Sequence, residues 1–175
     1  MDYKDKFRKR ILMHKGYVEH FYDIAKHSNE LITYPETDFN IKCHDDDKLE
    51  SPHFELQARR MIDEPWYDFR KDPEVIAEVR WHVNNQPHHP QYWNKTEVVD
   101  PFKEPVDCSD MPYTYLIEMA CDWMAMAKEK NEGPFDWYNK TVGTRFIFDD
   151  MQKKYIYNMF TILGKELEQN VGVQE

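Results

Sequence analysis

The chain has little glycine, no paired cysteines and no long apolar run. Only 5 of its 175 residues are glycine, and no low-complexity linker or internal repeat is present. The cysteines are odd in number and form no CxxC pair, so neither a disulfide framework nor a thiolate zinc site is indicated. No apolar run approaches the roughly 18 residues of a membrane span. The charged N-terminus lacks the apolar stretch of a signal peptide, so a reduced, cytosolic setting is expected.

An excess of positive charge is also lacking. The net charge of −10 argues against a general basic surface for nucleic acid. It does not exclude a small phosphorylated ligand, because a bound metal ion can reverse the local sign of charge. With 41% hydrophobic and 15% aromatic residues, the chain is expected to be globular, with a single domain over residues 1–175.

Helical periodicity dominates the sequence and predicts an all-α fold. Residues 5–32 carry an apolar stripe at spacings of three, four and seven, with His14 at its middle and His20 and His27 away from it. No segment shows a period-two alternation typical of a strand. A loop is predicted from Tyr34 to Lys42, and residues 84–112 look irregular. Further helices are predicted from near Ile41 through His44 and Asp45, over 51–62, from Pro73 to about Val83, over 113–130 and over 147–168.

The stretch "KCHDDDKLESPHF", residues 42–54, is either a solvated charged loop or part of a metal site. Adjacent His44 and Asp45 can bind one ion, and this donor pair suits iron, manganese, zinc, cobalt or nickel better than calcium. Lys48 lies about one turn after Asp45, where its ammonium can neutralise a phosphate. The next two acids are expected to be solvated: Asp46 and Asp47.

Two other segments offer metal-type ligands. Asp122 lies in the apolar "YLIEMACDWMAMA", where an unpaired carboxylate costs several kcal/mol, so it needs a cation or strong donors. Glu118, one turn earlier, either shares that site or orients a ligand. The segment "RWHVNNQPHHPQYWNK", residues 80–95, is either a polar surface loop or a stiff turn that points its histidines inward: His82, His88 and His89.

The order of a histidine, a His-Asp pair and a later aspartate is similar to the HD-domain superfamily of metal-dependent phosphohydrolases. "HDDDK" resembles the HDxxK signature common there. In that superfamily, extra histidines between the His-Asp pair and the last aspartate mark the two-metal branches, which include phosphohydrolases and a few di-iron oxygenases.

The chain more closely resembles an uncharacterised HD-like family of bacteria and phages, over most of its length. That family usually has serine in place of Asp47 and tends to have asparagine in place of Gln86. An acidic Asp47 either weakens binding of an anionic substrate or binds a second ion. The matching pieces are "HKGYV" (14–18), "HDDDK" (44–48), "SPHFELQAR" (51–59), "WHVNNQPHHPQYW" (81–93), "MPYTYLIEMACDW" (111–123) and "WY" (137–138).

The resemblance implies an HD-like helical protein with one or two divalent transition-metal ions, iron or manganese rather than zinc. It places the first ligand at His14, which the apolar stripe also indicates, with His20 as the alternative. One ion would be bound by His14, His44, Asp45 and Asp122. A second would be bound by His82, His88 or His89, with Asp45 bridging.

The expected activity is hydrolysis of a nucleotide or small phosphate ester in the cytosol of a bacterium or a phage-infected host. Lys48 and Arg59 would bind the phosphate, and Asp45 or a histidine would accept a proton from water. A di-iron oxygenase and a non-catalytic module stabilised by its metal remain alternatives. The sequence leaves the substrate and the oligomeric state open.

Overall fold

A computed structural model describes residues 2–63, 72–95 and 105–171, with side chains described as far as residue 167. The described residues are mostly helical, with one short two-stranded parallel sheet, so the predicted all-α class is confirmed. None of the described helices is both long and apolar enough to cross a bilayer.

The described α-helices range from 5 to 25 residues in length. The α-helices are α1 (Tyr3–His27), α2 (Pro35–Cys43), α3 (Asp46–Glu50), α4 (Phe54–Ala58), α5 (Pro73–Asn85), α6 (Tyr113–Lys130), α7 (Asp136–Thr141) and α8 (Asp150–Val171). A π-helical turn, Arg59–Asp63, continues α4, and a 3₁₀ turn, Pro90–Trp93, follows α5. The strands are β1 (Val106–Asp107) and β2 (Phe146–Ile147).

Helix α6 lies at the centre of the fold, packed against α1, α2 and α8. Leu116, Ile117, Met119 and Met124 have no exposed surface, which explains why this helix is apolar on nearly every side. The predicted span, 113–130, matches the structure. The helix ends where Asn131 adopts a left-handed conformation with φ 54° and the Glu132 N–H bonds to the Ala127 carbonyl.

Helix α1 buries the predicted stripe, including His14. Its C-terminal part packs against α6, whereas Phe7 and Ile11 pack against α4 and the π-helical turn that follows it. The prediction that it extends to residue 32 is wrong, because α1 ends at His27. Beyond that point the Ser28 hydroxyl accepts a hydrogen bond from the Glu30 N–H, a local bond that competes with continued helix.

The chain around His44 differs most from the sequence prediction. Residues expected to form a loop form α2 instead, which begins at Pro35, where a fixed φ and a missing N–H are tolerated. The helix predicted through His44 and Asp45 is absent: α2 stops at Cys43, and α3 starts at Asp46. Between them Asp45 has φ 58°, a left-handed conformation that aspartate adopts more readily than most residues.

Smaller differences remain. The helix predicted over 147–168 begins instead at Asp150 and ends at Val171, because Ile147 belongs to β2. The helix predicted over 51–62 begins later, at Phe54, and changes to π geometry at Arg59. Helix α7 and the β1–β2 pair were not predicted, since two-residue strands are too short to show alternation. The segment predicted to be irregular, 84–112, contains the end of α5, the 3₁₀ turn and β1, and its residues 96–104 lie outside the described part.

Candidate metal centre

Four predicted ligands meet where α1, α6 and the α2–α3 turn come together. His14 Nε2 lies 3.0 Å from Asp122 Oδ1 and 3.9 Å from Asp45 Oδ2. His44 Nε2 lies 3.7 Å from Asp45 Oδ2 and 4.0 Å from Asp122 Oδ1. Two donors on one transition-metal ion, each about 2.0–2.2 Å from it, are separated by about 3–4.4 Å. These four residues, the first donor group, therefore have the spacing of a ligand set.

Three histidines from α5 and the turn after it form a second donor group on the other side of Asp45. His82 Nε2 lies 3.4 Å and His88 Nε2 lies 3.8 Å from Asp45 Oδ1. His89 Nε2 lies 2.9 Å from His82 Nε2. One nitrogen from each of the three histidines falls within 4.8 Å of the others, close enough for a shared ion.

Asp45 connects the two donor groups through its two carboxylate oxygens. Oδ2 faces His14 and His44, whereas Oδ1 faces His82 and His88. The left-handed turn at Asp45 places this side chain between α1, α5 and α6, with 2% of its surface exposed. The arrangement suits a carboxylate that bridges two ions.

A ring of carboxylates binds the outward nitrogens of the histidines. Glu118 Oε1 lies 3.0 Å from His44 Nδ1 and 3.2 Å from His88 Nδ1. Glu129 Oε1 lies 2.7 Å from His14 Nδ1. Metal-bound histidines usually donate their second ring N–H to such a group, which fixes the ring and leaves Nε2 for the metal. Of the two roles left open for Glu118, its contacts favour orienting ligands.

Asp47 completes this ring and corrects an expectation. The sequence predicted a solvated carboxylate, but Asp47 Oδ2 lies 2.6 Å from His82 Nδ1, and the side chain is only 17% exposed. Asp46 is 48% exposed and pairs with Lys15 at the surface of the turn. The sequence did not indicate the role of Asp47, because three adjacent aspartates show no periodicity that tells which of them is buried.

Glu129 was missed by the sequence reasoning, although a signal was present. It lies seven residues after Asp122, which places both side chains on the same face of α6. His20, the alternative first ligand, is 45% exposed and lies 3.4 Å from Glu166, away from the donor groups. His14 is therefore the histidine of α1 that reaches the centre.

Burial and neighbouring charged groups shift the pKa values of the candidate ligands in the ion-free protein. Burial lowers the pKa of His14, but hydrogen bonds to Asp122 and Glu129 outweigh burial and raise it to about 9. Burial raises the pKa of Asp45, yet Lys48 and the surrounding histidines hold it well below its usual range. Burial and the neighbouring histidines lower the pKa of His89 well below its usual range, which favours the neutral form a metal requires.

Several buried donor atoms of the centre have no hydrogen-bond partner among the described residues. They are His44 Nε2, His88 Nε2 and Asp45 Oδ1. An unpaired polar atom in this position costs free energy, and cations held by the two donor groups would satisfy these atoms. Since the outward nitrogens of both histidines are bound by Glu118, the residues present fit a metal ion of the imidazole- and carboxylate-binding type.

A cavity of about 460 Å³ opens beside the centre and is lined in part by His14, Asp45, His82, His89 and Asp122. Lys48 also lines it and donates a hydrogen bond to Asp45 Oδ2. Burial lowers the pKa of Lys48, but Asp45 and Asp122 raise it above its ordinary value, so the ammonium stays charged. The cavity therefore combines metal ligands with a fixed positive charge.

Arg59, the second phosphate-binding candidate from the sequence, lies in the π-helical turn and is exposed. It is not among the described residues that line the cavity, whereas Arg10 and Arg145 are. The position of Arg59 therefore gives no support to a role in binding substrate.

We expect the Glu118→Gln variant to bind metal about 10–100-fold more weakly, because Glu118 orients two histidines and its charge supports their donor strength. Metal affinity is measured by titration of the ion-free protein. Glu166→Gln is the matched control, since it alters a carboxylate beside the exposed His20. Equal metal affinity in wild type and Glu118→Gln would contradict an orienting role.

Comparison with family models gives one finding: a family of unknown function, DUF5662, matches residues 3–162. The matched segment includes both donor groups and the carboxylates that bind them. Comparisons with the curated proteins and with the solved structures found no match.

Proposed function

The chain belongs to the DUF5662 family of unknown function, and we propose that it is an HD-type, metal-dependent phosphohydrolase of a nucleotide or small phosphate ester. The observation that carries the proposal is the position of Lys48. Its ammonium lines the cavity next to Asp45, the residue shared by both donor groups. A charged donor beside a metal centre suits a phosphoryl group, whose oxygens accept charge-assisted hydrogen bonds.

The resemblance to the HD superfamily adds support from geometry. A histidine, a His-Asp pair and a distant aspartate occur in that order and contribute to one donor group: His14, His44, Asp45 and Asp122. The lysine of the HDxxK pattern lies beside the same centre. Fold-level likeness supports a reaction class only weakly, so the proposal depends on the residues of the site.

The first donor group would hold one ion, and the second donor group would hold another that shares Asp45. The resemblance to the HD superfamily favours iron or manganese over zinc, although imidazole and carboxylate donors suit all three metals. When bound, a metal ion supplies polarisation of a phosphoryl oxygen and a lowered pKa for its water.

The reaction proposed is a displacement at phosphorus. Water forms a new P–O bond, the ester P–O bond breaks, and the alcohol leaves with a proton. Lys48 binds a phosphoryl oxygen and offsets the charge that accumulates there. Asp45 or a histidine accepts the proton that water loses.

The test is a screen of nucleotides and phosphate esters under strict anaerobiosis with protein loaded with Mn²⁺ or Fe²⁺. We expect release of inorganic phosphate that requires the metal and needs no oxygen. An oxygen-consumption assay on the iron-loaded protein is run with the same compounds.

Two results would overturn the proposal. Substrate-dependent oxygen uptake without phosphate release would identify a di-iron oxygenase, which can use the same donor groups. Neither phosphate release nor oxygen uptake, together with a metal that has no open coordination position, would identify a non-catalytic module with a structural ion.

A further inference from the structure

The cavity beside the centre is much larger than a phosphate group needs. Its volume of about 460 Å³ is in the range of pockets for whole organic ligands, roughly 300–1,000 Å³. The metal ligands and Lys48 occupy only one part of its wall. The rest must therefore contact the organic part of any ester bound there.

Apolar residues from three helices that also carry the ligands form much of the rest of the wall. Helix α1 contributes Phe7 and Ile11, α5 contributes Val75 and Val79, and α6 contributes Trp123 and Met126. In α1, Ile11 lies one turn before His14, and in α5, Val79 lies one turn before His82. The apolar wall thus continues directly from the donor groups.

Polar and charged side chains also line the cavity away from the metal ligands: Arg10, Gln57, Gln91, Lys130, Glu132 and Arg145. Arg10 Nε lies 3.7 Å from Glu129 Oε2, and the other oxygen of Glu129 binds His14. Arg10 is therefore tied to the carboxylate that orients a ligand. Its charge is partly offset by this carboxylate beside the centre.

We propose, resting on the phosphohydrolase function above, that the substrate is a phosphate monoester of an apolar alkyl or aryl alcohol. The phosphoryl group lies at Lys48 and the donor groups, and the organic part lies against Ile11, Val79 and Met126. Hydrolysis breaks the ester P–O bond and releases the apolar alcohol with a proton and inorganic phosphate. The apolar part of the wall favours an apolar organic group there, because removing apolar surface from water is favourable.

Alkylphosphonates from methyl to hexyl test the proposal, because their P–C bond resists hydrolysis and binding is measured apart from chemistry. Each methylene buried against the wall tightens binding about threefold to fourfold. We expect hexylphosphonate to bind the Mn²⁺-loaded protein at least about 30-fold more tightly than methylphosphonate by calorimetry. A chain-length series with no gain in affinity, or no phosphonate binding at all, overturns the proposal.

A pair of variants on α5 locates the effect in the cavity. Val79 and Trp81 are both exposed, at 38% and 52%, but only Val79 is among the described residues lining the cavity. Val79→Asn is expected to reduce the hexyl-to-methyl affinity ratio by about threefold or more. Trp81→Asn is expected to keep the wild-type ratio. An equal ratio in both variants would place the apolar contact elsewhere and contradict the assigned wall.

The two proposals fail in different ways. If affinity rises with chain length but no ester is hydrolysed, the apolar subsite is supported and the phosphohydrolase function is contradicted. If esters are hydrolysed at rates and affinities independent of the alcohol, the phosphohydrolase function is supported and the apolar-substrate proposal is contradicted.

Discussion

Asp45→Ala is expected to abolish metal binding and to reduce turnover to the uncatalysed background. Asp45 contributes one oxygen to each donor group, so its removal affects both proposed ions. Changing a residue that only orients a ligand typically costs 10–100-fold in affinity, and loss of a bridging ligand should exceed about 100-fold. Metal content after desalting and phosphate release from the best substrate of the anaerobic screen measure the two effects.

Asp46→Ala is the matched control, because it removes the neighbouring carboxylate of the same acidic run. Asp46 is half exposed and pairs with Lys15, outside both donor groups. Its variant should retain nearly all of the metal. Equal metal loss in the two variants would show that the whole aspartate run binds the ion and that Asp45 has no special position.

Lys48→Met is expected to lower kcat/KM for a phosphorylated substrate by about 10- to 150-fold while the protein remains folded. A charge-assisted hydrogen bond to phosphate is worth about 1.5–3 kcal/mol, and methionine keeps most of the side chain's length without its charge. Steady-state kinetics and the thermal midpoint Tm are measured on the same metal-loaded preparation.

Lys15→Met provides the comparison, since Lys15 also pairs with an aspartate but lies at Asp46 rather than in the cavity. It should leave kcat/KM close to the wild-type value. A large fall in Tm for Lys48→Met with unchanged kcat/KM would mean that Lys48 serves as the structural partner of buried Asp45. That result would contradict a phosphate-binding role for Lys48.

The sequence predicted the site best where periodicity and burial give the same answer. His14 follows from the apolar stripe of α1, and Asp122 follows from the cost of a carboxylate in an apolar helix. Both inferences depend on local spacing, which a single sequence contains. The all-α class and the span of α6 were predictable for the same reason.

The connections between helices were not predictable in the same way. The turn at Asp45 depends on a left-handed backbone that no local pattern required, and the sequence reasoning instead extended a helix through it. Asp47 and Glu129 reach histidines 35 and 115 residues away in the chain. Such contacts follow from tertiary packing, and charge patterning alone assigned Asp47 to solvent.

The wide separation of the ligands along the chain has a consequence for folding. Ions bound by the two donor groups would act as cross-links that close long loops of the polypeptide. The unfolded chain lacks this preformed site, so binding free energy becomes folding free energy. At a free metal concentration one hundred times Kd, an ion adds about 2.7 kcal/mol to the free energy of unfolding. A chelator would then act as a denaturant that is selective for this one network of contacts.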